Sequence, residues 1–184
     1  PGIAKLGINM DRDMIIVYEK CETNIKDHYA CGDIATNVLL AHAASRMGEI
    51  AAANASGKSE TCDLSLVPGC IYTHPELSSI GKKEDEIEEE IKTGKFMFGG
   101  VGRAVCQGEE EGFVEVIASA ETGKILGGTI LGSDASELIS LINYAINGGM
   151  TLEEISHIIH PHPTLSEGVA EAFLSANGTP VHGI

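Results

Sequence analysis

The 184-residue chain contains no tryptophan, and only 4% of its residues are aromatic. Hydrophobic residues still make up 43% of the sequence, so a core can be built from isoleucine, leucine, valine, alanine and methionine. The length fits one domain, or one domain together with part of another.

Basic residues are scarce as well. Lysine and arginine total 12, against 27 aspartates and glutamates, and the formal net charge is −15. Nucleic acids and anionic membranes bind clustered Lys and Arg, so this balance argues against both as partners. No stretch approaches the roughly 18 consecutive apolar residues of a membrane span. The first residues, PGIAKLGINM, lack a signal-peptide pattern and an initiator methionine, and we expect the chain to be cut from a longer one.

The cysteines lack the spacings of a structural site. Their number is odd, and no two stand as CxxC, which argues against a disulfide framework and against structural zinc. Free thiols favour a reducing, cytoplasmic setting. The five are Cys21, Cys31, Cys62, Cys70 and Cys106.

The first third of the chain predicts one short strand and one helix. Residues 14–18, MIIVY, are apolar and β-branched and predict a buried strand. Residues 36–55 are rich in alanine and free of proline, which predicts a helix capped by Thr36 or Asn37. Residues 56–68 are small and polar and end at Pro68, so we place a domain boundary there.

The remainder predicts an α+β domain. Short strands are expected at 70–74 and 77–81, a charged helix at 82–94 that ends at Gly94, and three further strands near 95–106, 112–119 and 124–131. The last two are joined by AETG, which is typical of a hairpin. Consecutive strands without intervening helices favour an antiparallel sheet.

Two helix starts carry the spacing of a capping box. Asp134 and Glu137 precede a strong apolar stripe that ends at Gly148-Gly149, and Thr151 and Glu154 begin a short helix through about residue 157.

Residues 160–167, HPHPTLSE, are the richest in possible chemistry. Pro161 and Pro163 stiffen the backbone, so we expect the rings of His160 and His162 to point to opposite sides. Such a stiff backbone suits a side chain that must be held in one place.

Three interpretations of this segment remain open on spacing alone. Thr164 and Glu167 have the spacing of a capping box, with His162 an ordinary surface residue. His157, His160 and His162 form a local cluster that could bind a metal ion, although no Cys or Asp is near. Alternatively, Glu167 orients His162 for proton exchange with a thiol near neutral pH.

Four motifs, in order, resemble the flavin disulfide oxidoreductases of the dihydrolipoyl dehydrogenase family. They are YACGDIATNVLLAHAASRMG, VPGCIYTHPELSSIG, GKILGGTILGSDASELI and HPHPTLSEGVAEAF, and the likeness covers essentially the whole chain. The resemblance implies that residues 1–66 are the trailing part of an FAD-binding α/β domain. It implies that residues 67–184 are the α+β dimerisation domain, an antiparallel sheet with helices on one face.

The resemblance also implies roles for individual residues. His162 would be the catalytic acid–base and Glu167 its orienting partner, with His160 a non-catalytic neighbour and His74 structural. In this family the histidine crosses a homodimer interface and takes a proton from dihydrolipoamide. The thiolate then attacks a disulfide beside FAD, and electrons pass to NAD⁺. FAD contacts would come from the residues after Gly32: Asp33 to a ribityl hydroxyl, and Leu39, Leu40, Ala41 and His42 near the flavin ring.

Two motifs that the family needs are absent from the 184 residues. There is no GxGxxG followed by a helix and no Cys-x4-Cys pair. We therefore expect the chain alone to be inactive and not to retain FAD tightly. The partner of the parent enzyme would be a 2-oxoacid dehydrogenase complex or the lipoyl protein of glycine cleavage. The alternatives are a glutathione reductase-like or other flavin disulfide reductase, and a non-catalytic dimerisation or metal-binding module.

Overall fold

A computed structural model describes residues 2–182. The chain divides into two compact units, with bounds at Pro1–Ser65 and Leu66–Ile184. The division falls inside the segment 56–68 whose small polar residues predict a linker. Among the described residues, every helix is too short or too polar to cross a lipid bilayer.

The first unit is built on one helix. A short hairpin of two strands, β1 (Met10–Asp11) and β2 (Met14–Ile15), precedes α1 (Ala41–Ala55). Each strand has two residues. Its small core consists of buried Met47, Ile50 and Ala51 of the helix packed on Cys21. The predicted strand at 14–18 is therefore shorter than expected.

The helix begins five residues later than the sequence predicted, so capping by Thr36 or Asn37 was wrong. The Thr36 hydroxyl accepts a hydrogen bond from the Val38 N–H at 3.0 Å, which gives this stretch a local turn instead of a helical one. Leu40, directly before the helix, has extended backbone and gives it no side-chain cap.

The second unit contains a five-stranded sheet with all neighbouring strands antiparallel, in the order β3-β4-β7-β6-β5. The strands are β3 (Gly69–Ile71), β4 (Glu76–Gly81), β5 (Ile91–Met97), β6 (Phe113–Ser119) and β7 (Ile125–Gly132). The helices are α2 (Gly102–Gln107), α3 (Ala135–Asn147), α4 (Leu152–Ser156) and α5 (Ser166–Ala176).

The core lies on one face of this sheet. Val114, Val116 and Ala118 alternate along β6 and are fully buried, so they share a face. They belong to one cluster with Ile142 of α3 and Val169 of α5. The predicted α+β class, an antiparallel sheet with helices on one face, is confirmed, and so is the hairpin of β6 and β7.

The helix predicted at 82–94 was wrong. Only a 3₁₀ turn forms, at Glu84–Glu86, and β5 begins at Ile91. Acidic residues recur four apart between 84 and 90, and such like-charge pairs destabilise a helix. Gly94 does not end a helix but lies within β5, opposite Val116.

Two smaller predictions also differ from the structure. The strand expected at 95–106 ends at Met97, and its second half forms α2. The side chain of Asp134 does not cap α3, because its backbone is left-handed, with φ of 56°. The carboxylate of Glu76, on β4, instead accepts from the Ser136 N–H at 2.9 Å. The capping box of Thr151 and Glu154 is confirmed.

Candidate functional site

The HPHPTLSE segment forms the loop between α4 and α5. Proline stands on both sides of His162, and the His162–Pro163 peptide bond is cis. The Thr164 hydroxyl donates to the carbonyl of Pro161 at 2.7 Å and lies 2.8 Å from the Ser166 hydroxyl. These local bonds fix the loop on the first turn of α5.

Glu167 makes contacts that two of the three interpretations of this segment predict. One carboxylate oxygen, Oε1, lies 2.9 Å from Nδ1 of His162, and the other, Oε2, accepts from the Thr164 N–H at 2.8 Å. The same side chain therefore completes the carboxylate half of a helix cap and orients the imidazole. The Thr164 hydroxyl, which the capping box would direct to the helix, is bonded within the loop instead.

The electrostatics favour an ionised Glu167. Its pKa is lowered, first by the hydrogen bond from the Thr164 backbone and then by the hydrogen bond and charge of His162, with a further contribution from the charge of His182. Burial opposes this shift. Because a carboxylate accepts at Nδ1, the proton of the neutral ring lies there, and Nε2 is the basic nitrogen.

The exposure of the pair suits proton exchange with another molecule. The His162 side chain is 78% exposed, and that of Glu167 is 31% exposed. An ion pair at such a position contributes only about 0–1 kcal/mol to folding.

The pair lies at an open cavity of about 290 Å³. His160 borders the same cavity as His162. Burial lowers the pKa of His160, against the opposing effect of the Glu167 charge, so this ring is neutral near pH 7. The lining is completed by Phe96, Gly100, Val101, Gly102, Ile158, Ala170, Glu171 and His182.

A second histidine–carboxylate pair at this cavity was not found from the sequence. Nδ1 of His182 lies 2.8 Å from Oε1 of Glu171, which is one helical turn after Glu167. The pair is eleven residues apart, beyond the range of local motifs. The available signal was Glu171 itself, a glutamate between the core residues Val169 and Ala172 of α5.

The residues predicted to contact FAD lie in the first unit. Gly32 has φ of 78°, a conformation that favours glycine, and Asp33 follows it in an exposed turn. Leu39, Ala41 and His42 are exposed, and Leu40 is half-buried at the start of α1.

This arrangement fits the group that the resemblance implies. The 15-residue helix α1 begins without a side-chain cap, so its first backbone N–H groups are available to donate hydrogen bonds to an electron-rich ring edge. An exposed carboxylate at Asp33 can accept from a sugar-like hydroxyl. A metal ion has less support, because residues 2–182 contain no group of three or more His, Cys, Asp or Glu side chains placed to hold one.

Comparisons with known proteins concern the family and the fold of the chain. Residues 67–173 match the family model described as the pyridine nucleotide-disulphide oxidoreductase dimerisation domain. Dihydrolipoyl dehydrogenases from Bacillus subtilis and Chlamydia pneumoniae are 40% and 42% identical to this chain over 98% and 95% of its length. In both cases the chain spans 39% of the relative's length.

Solved structures show the same fold. LpdA from Mycobacterium tuberculosis superimposes with a TM-score of 0.87 at 28% identity, over 94% of this chain and 39% of that one. The flavoprotein disulfide reductase RclA from Escherichia coli gives 0.82 at 22% identity, over 91% and 40%. With a family model that covers more than half of its residues, the chain belongs to the pyridine nucleotide-disulphide oxidoreductases and contains their dimerisation domain.

Proposed function

We propose that this chain is the C-terminal part of a flavin-dependent disulfide oxidoreductase that reoxidises dihydrolipoamide with NAD⁺. Its His162–Glu167 pair would act as acid–base across a homodimer interface. The observation that carries the proposal is the 2.9 Å contact between Nδ1 of His162 and the Glu167 carboxylate, at an exposed position beside a cavity.

Each group in the pair has a defined task. The Glu167 carboxylate holds the proton of His162 on Nδ1 and stabilises the imidazolium, so the Nε2 lone pair is directed outward. Nε2 takes the proton of a substrate thiol, because the thiolate and not the thiol is the nucleophile in disulfide exchange. The substrate thiolate would bond to one sulfur of the redox disulfide of the parent enzyme while the bond to the other sulfur breaks, and the proton would stay on this ring until that leaving thiolate or solvent takes it.

FAD, when bound to the parent enzyme, supplies the two-electron acceptor between the dithiol and NAD⁺. Asp33 and the N-terminal turn of α1, at Leu39, Leu40, Ala41 and His42, would hold it by the hydrogen bonds and helix dipole described above. The 184 residues carry neither a Cys-x4-Cys pair nor a glycine-rich dinucleotide loop. The chain alone would therefore be inactive and would not retain FAD tightly.

Dihydrolipoamide, a dithiol, is favoured over the substrates of other disulfide oxidoreductases by the names of the relatives near 40% identity, which are dihydrolipoyl dehydrogenases. The partner would accordingly be a lipoyl-bearing protein of a 2-oxoacid dehydrogenase complex or of glycine cleavage. A glutathione reductase-like activity would use the same histidine and carboxylate, but no contact in the described residues favours it.

The test is the His162→Gln substitution in the enzyme whose reading frame encodes this chain. We expect lipoamide turnover to fall by about 10²–10⁴-fold, the contribution of a positioned acid–base group. NADH oxidation by an artificial one-electron acceptor needs no thiol proton and should be retained. His160→Gln is the matched control and should cause a far smaller loss, because His160 is not the proposed acid–base group. Near-normal lipoamide turnover in His162→Gln would overturn the proposal.

A further inference from the structure

Glu171 is a buried carboxylate that the proposed acid–base chemistry does not use. It is 7% exposed and lies on α5, one turn after Glu167. Its Oε2 accepts from the backbone N–H groups of Val181 and His182, both at 3.2 Å, and its Oε1 is 2.8 Å from the His182 ring. A buried charge is costly unless it is hydrogen-bonded, and these three bonds satisfy it.

These bonds hold the end of the described chain against α5. Val181 is 70% exposed, and so is the His182 side chain, so neither residue gains much from apolar burial. The last backbone bond before them is from Thr179 to Leu174. The position of Val181 and His182 therefore depends on the Glu171 carboxylate.

The chain end and the acid–base pair share one cavity. Glu171 and His182 line it together with His162 and Glu167. The ionisable groups that border it are His160 and His162 of the loop, Glu167 and Glu171 of α5, and His182 of the chain end. The charge of His182 is also one of the causes that lower the pKa of Glu167.

We propose that Glu171 is a positioning residue, which fixes His182 as a wall of the cavity beside Glu167 and so supports the His162–Glu167 pair. The consequence for catalysis rests on the proposed function, whereas the attachment of the chain end does not. When His182 is protonated, its charge adds to the effects that lower the pKa of Glu167, and the ionised carboxylate is the state that holds the proton of His162 on Nδ1.

The first test uses the 184-residue chain and amide hydrogen exchange by NMR. In Glu171→Ala we expect the Val181 and His182 amides to exchange about 10- to 100-fold faster, because bonds to a charged acceptor are lost. Glu171→Gln retains an acceptor oxygen and should restore part of this protection. Glu137→Ala, at an exposed position of α3, is the control and should change neither amide. Unchanged exchange in a folded Glu171→Ala chain would overturn the proposal.

The second test measures the pKa of Glu167 from the chemical shift of its carboxyl carbon during a pH titration. A merely structural role would leave this pKa unchanged. We expect the pKa of Glu167 to rise in His182→Ala, because the imidazolium is removed from its side. Glu171→Ala is unsuitable for this measurement, because it also removes a carboxylate one turn from Glu167, and that loss shifts the pKa of Glu167 in the opposite direction. His182→Ala leaves the buried carboxylate in place, so it covers the case in which Glu171→Ala does not fold. An unchanged Glu167 titration in His182→Ala would overturn the positioning role.

The two proposals fail separately. Near-normal lipoamide turnover in His162→Gln, together with the expected exchange and titration results, would reject the proposed function and leave the attached chain end standing. The expected loss in His162→Gln with unchanged exchange and titration would do the reverse.

Discussion

The Gly94→Ala substitution is expected to push α5, which carries Glu167, away from the sheet. Gly94 lies in β5, and a Cβ atom there would be 2.1 Å from the carbonyl oxygen of Ala172 and 2.3 Å from the nitrogen of Ala176. Both atoms belong to the backbone of α5 and cannot turn away as a side chain would. The helix must therefore move by about 1 Å to restore ordinary contact distances.

The magnitude follows from overpacking. An extra methyl in a close-packed site typically costs 1–3 kcal/mol. Because the atoms in its way belong to the backbone, we expect this one to cost about 3 kcal/mol. Alanine recovers about 0.4–1 kcal/mol because it restricts the unfolded chain. We expect a net loss of about 2–3 kcal/mol in the free energy of unfolding of the second unit.

The assay is a urea titration followed by the amide resonances of Val114 and Val116, which report on the sheet alone. A residue-specific signal is needed because two units need not unfold together. Gly102→Ala is the matched control, since its Cβ would meet nothing within 4 Å, and we expect it to change the stability by less than about 0.5 kcal/mol. A loss below about 0.5 kcal/mol in Gly94→Ala would refute the packing argument.

Three further predictions concern ionisable groups. Because the pKa of Glu167 is lowered, its stabilisation is complete above the ordinary glutamate value of about 4.3 and is lost as pH falls through the lowered one. The difference in urea stability between the native chain and Glu167→Gln should shrink below about pH 4, and a constant difference from pH 6 to pH 3 would contradict this. His162→Ala should lower the free energy of unfolding by less than about 1 kcal/mol at neutral pH, because the ring is mostly exposed, and a loss above about 2 kcal/mol would assign it a structural role. Burial raises the pKa of Cys21 to about 11, so iodoacetamide at pH 8 should label it more slowly than exposed Cys106, as peptide mass spectrometry would measure.

Contacts between neighbours in sequence were the most predictable. Glu167 lies five residues after His162 and three after Thr164, so rigid prolines and the start of a helix were sufficient to suggest that these groups meet. The hairpin of β6 and β7 and the capping box at Thr151 were predictable for the same reason. In each case the local motif also provides hydrogen bonds for backbone N–H and C=O groups.

Contacts between distant residues were not predictable. Gly94 had the pattern of a helix terminator, but its lack of a side chain serves the close approach of β5 to α5. The cap of α3 comes from Glu76, sixty residues before Ser136. The bonds from Glu171 to Val181 and His182 likewise depend on the return of the chain to a helix that it has already left.

The predicted roles of Asp33, Leu39, Leu40, Ala41 and His42 stay predictions. Their exposure and the uncapped start of α1 are compatible with a bound flavin. Sequence reasoning placed this helix too early because it counted composition, whereas the turn at Thr36 decides where the helix begins.

The most direct test of the central claim is a hybrid dimer that asks whether His162 serves the other subunit. In the full enzyme, subunits carrying His162→Gln would be assembled with subunits whose redox cysteines are replaced by serine, each inactive as a homodimer. If the pair acts across the interface, each hybrid dimer has one complete site, and random assembly should restore about a quarter of the native lipoamide turnover. If turnover of the mixed preparation stays at the level of the two inactive homodimers, His162 acts within its own subunit or not at all, and the account is contradicted.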